Sequence, residues 1–134
     1  MDIKYDCVDL EQHLYVDNIH YIITVVEDHL EDITKAMATG LTHFARGGAV
    51  ALDFSDLRPR GSKTSHGDGE STGAASFAKT FADMVQILSN VNAEKRYKPI
   101  IMLDEGHADF KEFEGINSDA VLKITHRRDD WRTL

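Results

Sequence analysis

The stretch from Gly47 to Phe81 reads GGAVALDFSDLRPRGSKTSHGDGESTGAASFAKTF, and it decides the fold. Ala49 to Phe54 is nearly continuous apolar sequence, the pattern of a strand buried on both faces. It ends in a basic turn, Leu57-Arg58-Pro59-Arg60-Gly61, followed by a polar, glycine-bearing loop. Ser71-Thr72-Gly73 then opens a helix, with Ser71 or Thr72 as its cap and Phe77, Phe81, Met84 and Leu88 as its apolar stripe. Strand, basic corner, loop and helix start together suit an anionic ligand. A helix N-terminus presents unpaired N–H groups and a positive dipole end, and the two arginines stand on the opposite flank of the loop.

Upstream, His13 to Val16 and Tyr21 to Val26 are rich in β-branched and aromatic residues, with the turn-prone pair Asp17-Asn18 between them. That spacing predicts a hairpin. Residues 1–12 are polar and give no clear period. Glu27 and Asp28 begin a helix whose stripe is Leu30, Ile33, Met37, Leu41 and Phe44, and Gly47-Gly48 stops it. Downstream, Pro99 to Leu103 reads as a second buried strand, Asp109 to Phe113 as a short helix and Ala120 to Thr125 as a last strand. The order β, β, α, β, α, β, short α, β predicts an α/β fold of about five strands and two main helices. Strands joined through helices imply parallel neighbours.

A length of 134 residues fits one domain, residues 1–134, and 42% hydrophobic residues allow a modest core. No apolar run approaches a membrane span, and the acidic start MDIKYDCVDLEQ is unlike a signal peptide. Cytoplasm is the expected compartment. A net charge of −8 argues against a nucleic-acid polymer as partner, because the phosphate backbone prefers a basic face. A mononucleotide needs only one small basic cluster. The single cysteine, Cys7, excludes an internal disulfide and a multi-cysteine metal site. The seven histidines show no metal-ligand spacing, and no nucleophile–base set is apparent. His107-Ala108-Asp109 reads most simply as a helix cap, and Asp104-Glu105 as a solvated loop.

Three segments resemble the ribonucleotide reductase large chain, most closely in its adenosylcobalamin-dependent class. Val25-Val26-Glu27-Asp28 with Ile33 is similar to a V-E-D-S-x-x-x-I helix start. Gly47 to Ser62 is similar to a G-G-V-G-x-x-x-S-x-L-R-P-x-G run, and Ser71 to Phe77 to S-S-G-P-x-S-F. His107 to Phe113 follows as a likeness of H-P-D-I-x-x-F, and the resemblance covers roughly residues 20–115. It implies a slice of a ten-stranded α/β barrel, that is, a partial ribonucleotide-reductase-type barrel. In that family the two corresponding helices pack against their copies in a second subunit, and a deoxynucleoside triphosphate effector binds at the interface. The aspartate at the head of the first helix holds the sugar, and the arginine of the L-R-P run reaches the phosphates. Those positions are Asp28 and Arg58 here.

The departures carry equal weight. The family's redox-active cysteine has no counterpart around His20 and Tyr21, and Cys7 is far out of register. The finger-loop cysteine is absent too, so the resemblance implies no ribonucleotide reduction by this chain alone, and no catalytic residue is named. The family's glycine-arginine relay loop aligns with Asn92 to Lys98, where Arg96 matches and the glycines do not. The expected ligand is a deoxynucleoside triphosphate with Mg2+, held by Asp28, Arg58, Arg60, Lys63, Ser71, Thr72, Gly73 and Arg96. Asp28, Ser71 and Thr72 also serve as helix caps on a plain reading, and Arg60, Lys63 and the pair Lys95-Arg96 as surface charges. The expected partner is a second copy, in a dimer through the two main helices, or else a ribonucleotide reductase chain. The alternatives are one piece of a split reductase completed by another chain, and a structural or interaction protein that has lost the ligand.

Overall fold

The computed structural model describes residues 1–64, 69–91 and 96–127. Two tight hairpins begin the chain. β1 (Ile3–Val8) and β2 (Glu11–Val16) are joined by Asp9-Leu10, and β2 and β3 (Ile19–Val25) by Asp17-Asn18. Both residues of each turn have positive φ: 51° and 68° in the first, 50° and 70° in the second. Two left-handed residues in succession match the twist of an antiparallel pair. Asp17-Asn18 advertises that geometry. Asp9-Leu10 does not, because leucine is disfavoured at positive φ, and β1 was therefore not expected. Its alternation becomes visible only once paired, with Ile3 opposite Val16, Tyr5 opposite Leu14 and Cys7 opposite Gln12.

The rest alternates helix and strand. α1 (Leu30–Ala45), β4 (Val50–Asp53), α2 (Ala74–Val91), β5 (Ile100–Asp104), α3 (Phe110–Glu114) and β6 (Leu122–His126) follow in order. Among the described residues the count is six strands, one more than expected, with two long helices and one short one. The sheet order is β1-β2-β3-β4-β5-β6, antiparallel across the first three strands and parallel from β3 to β6. Each parallel step needs a crossover, and α1, α2 and α3 lie within those connections.

The central strands are buried on both faces. In β5, Ile101 and Leu103 join the core under the helices, while Ile100 and Met102 join a second cluster with Leu14, Tyr21, Ile23, Ala51 and Ile124. This is why Ala49 to Phe54 and Pro99 to Leu103 read as apolar runs without alternation. The Tyr21 hydroxyl ends at the Lys98 carbonyl, 3.0 Å away, and burial raises its pKa.

The helix stripes need two corrections. In α1, Ile33, Met37, Leu41 and Phe44 are buried, but Leu30 is 67% exposed. In α2 the buried face is Ala74, Ala75, Ala78, Phe81, Ala82 and Val85, and Met84 is 43% exposed. Counting large side chains misplaced that face, because small alanines carry the contact. They let the helices approach closely. A Cβ on Gly40 of α1 would stand 3.3 Å from the Phe81 ring.

Candidate functional site

The basic corner sits where β4 leaves the sheet. Val26 N–H donates to the Asp53 carbonyl at 2.9 Å, continuing the β3–β4 pairing past the end of β3. That brings the bend before α1 alongside the Leu57–Arg58 turn. Downstream the loop folds back on itself: Gly61 N–H donates to the Ser71 carbonyl at 2.9 Å and Ser71 N–H to the Ser62 carbonyl at 2.7 Å. A bridge between Lys63 and Glu70 extends this stem. The start of α2 is thereby held beside the arginines.

Asp28 does not cap α1. The N-cap residue is His29, which makes no side-chain cap bond. The Asp28 carboxylate turns to Arg58 instead. Its Oδ1 accepts the Arg58 backbone N–H at 3.2 Å, and its Oδ2 accepts the Arg58 Nε–H at 2.8 Å. Arg58 Nη1 donates to the Lys63 carbonyl at 2.6 Å. Each side chain of the ion pair is 30% exposed.

Arg60 points the other way. Its guanidinium pairs with Glu112 on α3, a contact that raises the Arg60 pKa and lowers that of Glu112. Its backbone N–H lies 3.2 and 3.1 Å from the two Asp109 carboxylate oxygens. Asp109 Oδ2 also accepts the Ala74 N–H at 2.9 Å. Asp109 is the N-cap residue of α3, yet it makes no side-chain bond there and caps α2 instead. An internal carboxylate thus bonds the first residue of α2 and complements the helix dipole. His107 locks this arrangement. Its Nδ1 accepts the Asp109 N–H at 3.0 Å, so its Nε2 carries the proton given to the Leu57 carbonyl at 2.7 Å.

Gly73 fits because nothing larger would. Its φ is +96°, and a Cβ there would lie 2.5 Å from Asp109 Oδ2 and 2.9 Å from the Arg60 nitrogen. The backbone at Gly73 therefore packs closely behind the corner. Ser71 Oγ accepts the Gly73 N–H at 3.0 Å and so does not cap α2.

One cavity of about 780 Å³ gathers four of the eight residues picked from the sequence. Asp28, Arg58, Ser71 and Thr72 line it, together with Glu31, Asp32, Glu70, Leu57 and Phe77. Arg60 and Gly73 belong to the Asp109 side, and Lys63 contributes a carbonyl to Arg58. Arg96 lies elsewhere. Its guanidinium carbon is 5.4 Å from the Phe44 ring centroid, and its Nε donates to the Ala45 carbonyl at 3.3 Å, at the C-terminal end of α1. Asn92 to Lys95 of the relay-loop alignment fall outside the described residues.

Two groups were missed in the sequence. Glu112 and the α2-capping role of Asp109 become legible only when α3 is seen against the corner. Asp53 and His126 form a buried pair at the ends of β4 and β6, Oδ2 to Nε2 3.4 Å. Ser55 ties Asp53 to the next strand: its Oγ bonds Asp53 Oδ1 at 2.5 Å and accepts the Asp104 N–H at 2.8 Å. A second cavity of about 590 Å³, between β3 and α1, is lined by none of the sequence-picked residues. No group of acids, histidines and cysteines able to hold a metal occurs among the described residues.

A parallel run of strands with helices packed on one face, opened at both edges, defines an incomplete α/β barrel. The chain belongs to the family described as ribonucleotide reductase, barrel domain, whose model matches residues 20–120. The match begins in β3, so the β1–β2 hairpin lies outside it. Among solved structures the chain is similar to the Actinobacillus ureae class Id ribonucleotide reductase alpha subunit, with a TM-score of 0.55 and 19% identity. The similarity covers 78% of this chain and 19% of that subunit, and at this identity it speaks of fold. No curated protein sequence matches the chain.

Proposed function

We propose that this chain is a nucleotide-binding module of reductase type, taking a deoxynucleoside triphosphate effector with Mg2+ and not reducing ribonucleotides alone. The observation that carries this reading is the cavity that brings Asp28, Arg58, Ser71 and Thr72 together from three separate segments. Arginine is suited to phosphate by its planar fork, and the two hydroxyls add neutral donors. The walls also carry Glu31, Asp32 and Glu70 against that one arginine. An uncompensated triphosphate is repelled there, so Mg2+ should enter with the ligand. The kinship to the adenosylcobalamin-dependent class rests on the L-R-P-x-G run and the Ser71 to Phe77 segment. The sole cysteine is exposed on β1, outside the matched segment, which supports the non-reducing part of the reading.

Association of two copies through α1 and α2 belongs to the same reading. Leu30, Met84 and Ile87 are 67%, 43% and 62% exposed on these helices, an apolar set that a partner helix pair would cover. A reductase chain completing the barrel is the second reading, favoured by β6 standing at the edge of the parallel part of the sheet.

Thermal unfolding with each deoxynucleoside triphosphate and magnesium tests the first reading. A ligand at about 100 times its Kd adds about 2.7 kcal/mol. One nucleotide should raise Tm, and Arg58→Ala or a chelator should abolish the rise. No shift with any nucleotide would sink it and leave the partner reading in front.

A further inference from the structure

We infer that Asp28 serves the cavity by positioning Arg58. This rests on the nucleotide reading above. Both Asp28 oxygens accept from Arg58: Oδ1 from its backbone N–H at 3.2 Å and Oδ2 from its Nε–H at 2.8 Å. The first contact fixes the carboxylate relative to the turn, and the second fixes the guanidinium relative to the carboxylate. The Lys63 carbonyl holds a third point at Nη1, 2.6 Å away. Arg58 Nη2 is the one guanidinium nitrogen that makes no hydrogen bond to the described residues, and Arg58 lines the cavity. An arginine held along its Nε and Nη1 edge, with Nη2 left over, is preorganised for a phosphate oxygen. A free arginine on a turn would first lose rotamer freedom on binding.

Positioning and simple electrostatics predict opposite signs. Asp28 is a negative charge beside the phosphate-binding group. If it did nothing for Arg58, removing it would tighten the binding of a sugarless polyphosphate. If it holds Arg58, removing it weakens that binding despite the gain in positive charge.

The test measures Kd by calorimetry for two probes with MgCl2. One is inorganic tripolyphosphate, and the other is the deoxynucleoside triphosphate that most raises the wild-type Tm. Asp28→Ala should weaken both by a similar factor, about three- to tenfold, the size of losing one immobilised long side chain. Asp28→Asn, nearly isosteric, guards against a folding defect and should act in the same direction. In an Arg58→Lys background, which keeps the charge and lacks the Nε contact, Asp28→Ala should no longer weaken the binding of tripolyphosphate. Loss of nucleotide affinity with tripolyphosphate unchanged or tighter would overturn the positioning role and leave the nucleotide reading standing. So would a wild type that binds the nucleotide and not tripolyphosphate, because a preformed arginine takes the phosphate chain unaided. A wild type that binds neither probe overturns the nucleotide reading, and this inference with it.

Discussion

Arg58 and Arg60 leave the same turn, on either side of Pro59, and finish in different surroundings. Arg58 is paired with Asp28, each side chain 30% exposed, at the rim of a cavity. Arg60 is paired with Glu112 at 54% and 42% exposure, and it fastens α3 to the loop. The backbone reverses this order. Behind Arg60 the main chain meets a nearly buried carboxylate, Asp109, which also caps α2. The side whose arginine is the more exposed is therefore the side whose backbone holds the corner together. One side is scaffold, and the other faces a cavity.

Substituting Asp109 should break the scaffold side most severely. Asp109→Ala leaves the Ala74 and Arg60 N–H groups without their charged acceptor, and losses of that kind amount to about 2–3 kcal/mol. Urea unfolding would show a lower midpoint at unchanged m-value. An unchanged midpoint would mean that α2 finds another cap. Gly73→Ala follows, at about 1–3 kcal/mol, since it combines a φ of +96° with a Cβ 2.5 Å from Asp109 Oδ2. Coupling between the two, read from the double variant, would confirm that they act on one contact.

Arg58→Ala sharpens the contrast from the other side. A partly exposed ion pair contributes about 1 kcal/mol or less, so the unliganded protein should unfold almost as the wild type does. The stabilisation by nucleotide should vanish. A large stability loss without any ligand effect would move Arg58 to the scaffold.

The division explains what the sequence could and could not reveal. Buried strands and crossover helices were legible because apolar runs and 3.6-residue stripes reflect burial directly. The L-R-P-R-G corner was legible as basic. Which arginine faced the cavity was not, because that depends on Glu112 and Asp109, about fifty positions downstream, arriving on α3. The roles of Ser71 and Asp28 as caps failed for the same reason: a distant carboxylate supplied one cap, and a distant arginine claimed the other residue. Arg96 was placed by a loop alignment, yet Arg96 ends at the far end of α1, on the Ala45 carbonyl. The strand β1 was hidden by a leucine at positive φ.

The Arg60–Glu112 pair should give the smallest effect, and its sign is fixed. The hydrogen bond from Arg60 holds Glu112 below the ordinary carboxylate value of 4.5. A group whose native pKa is lowered adds stability above its unfolded pKa, and that increment fades as pH falls through the native value. Wild type and Glu112→Gln should therefore differ slightly in Tm at neutral pH and converge under acid conditions. Both side chains are too exposed for the difference to be large, and nucleotide binding should not change at all. A Glu112→Gln variant that lost nucleotide stabilisation would erase the boundary between the two arginines. The α3 clamp would then be part of the ligand site.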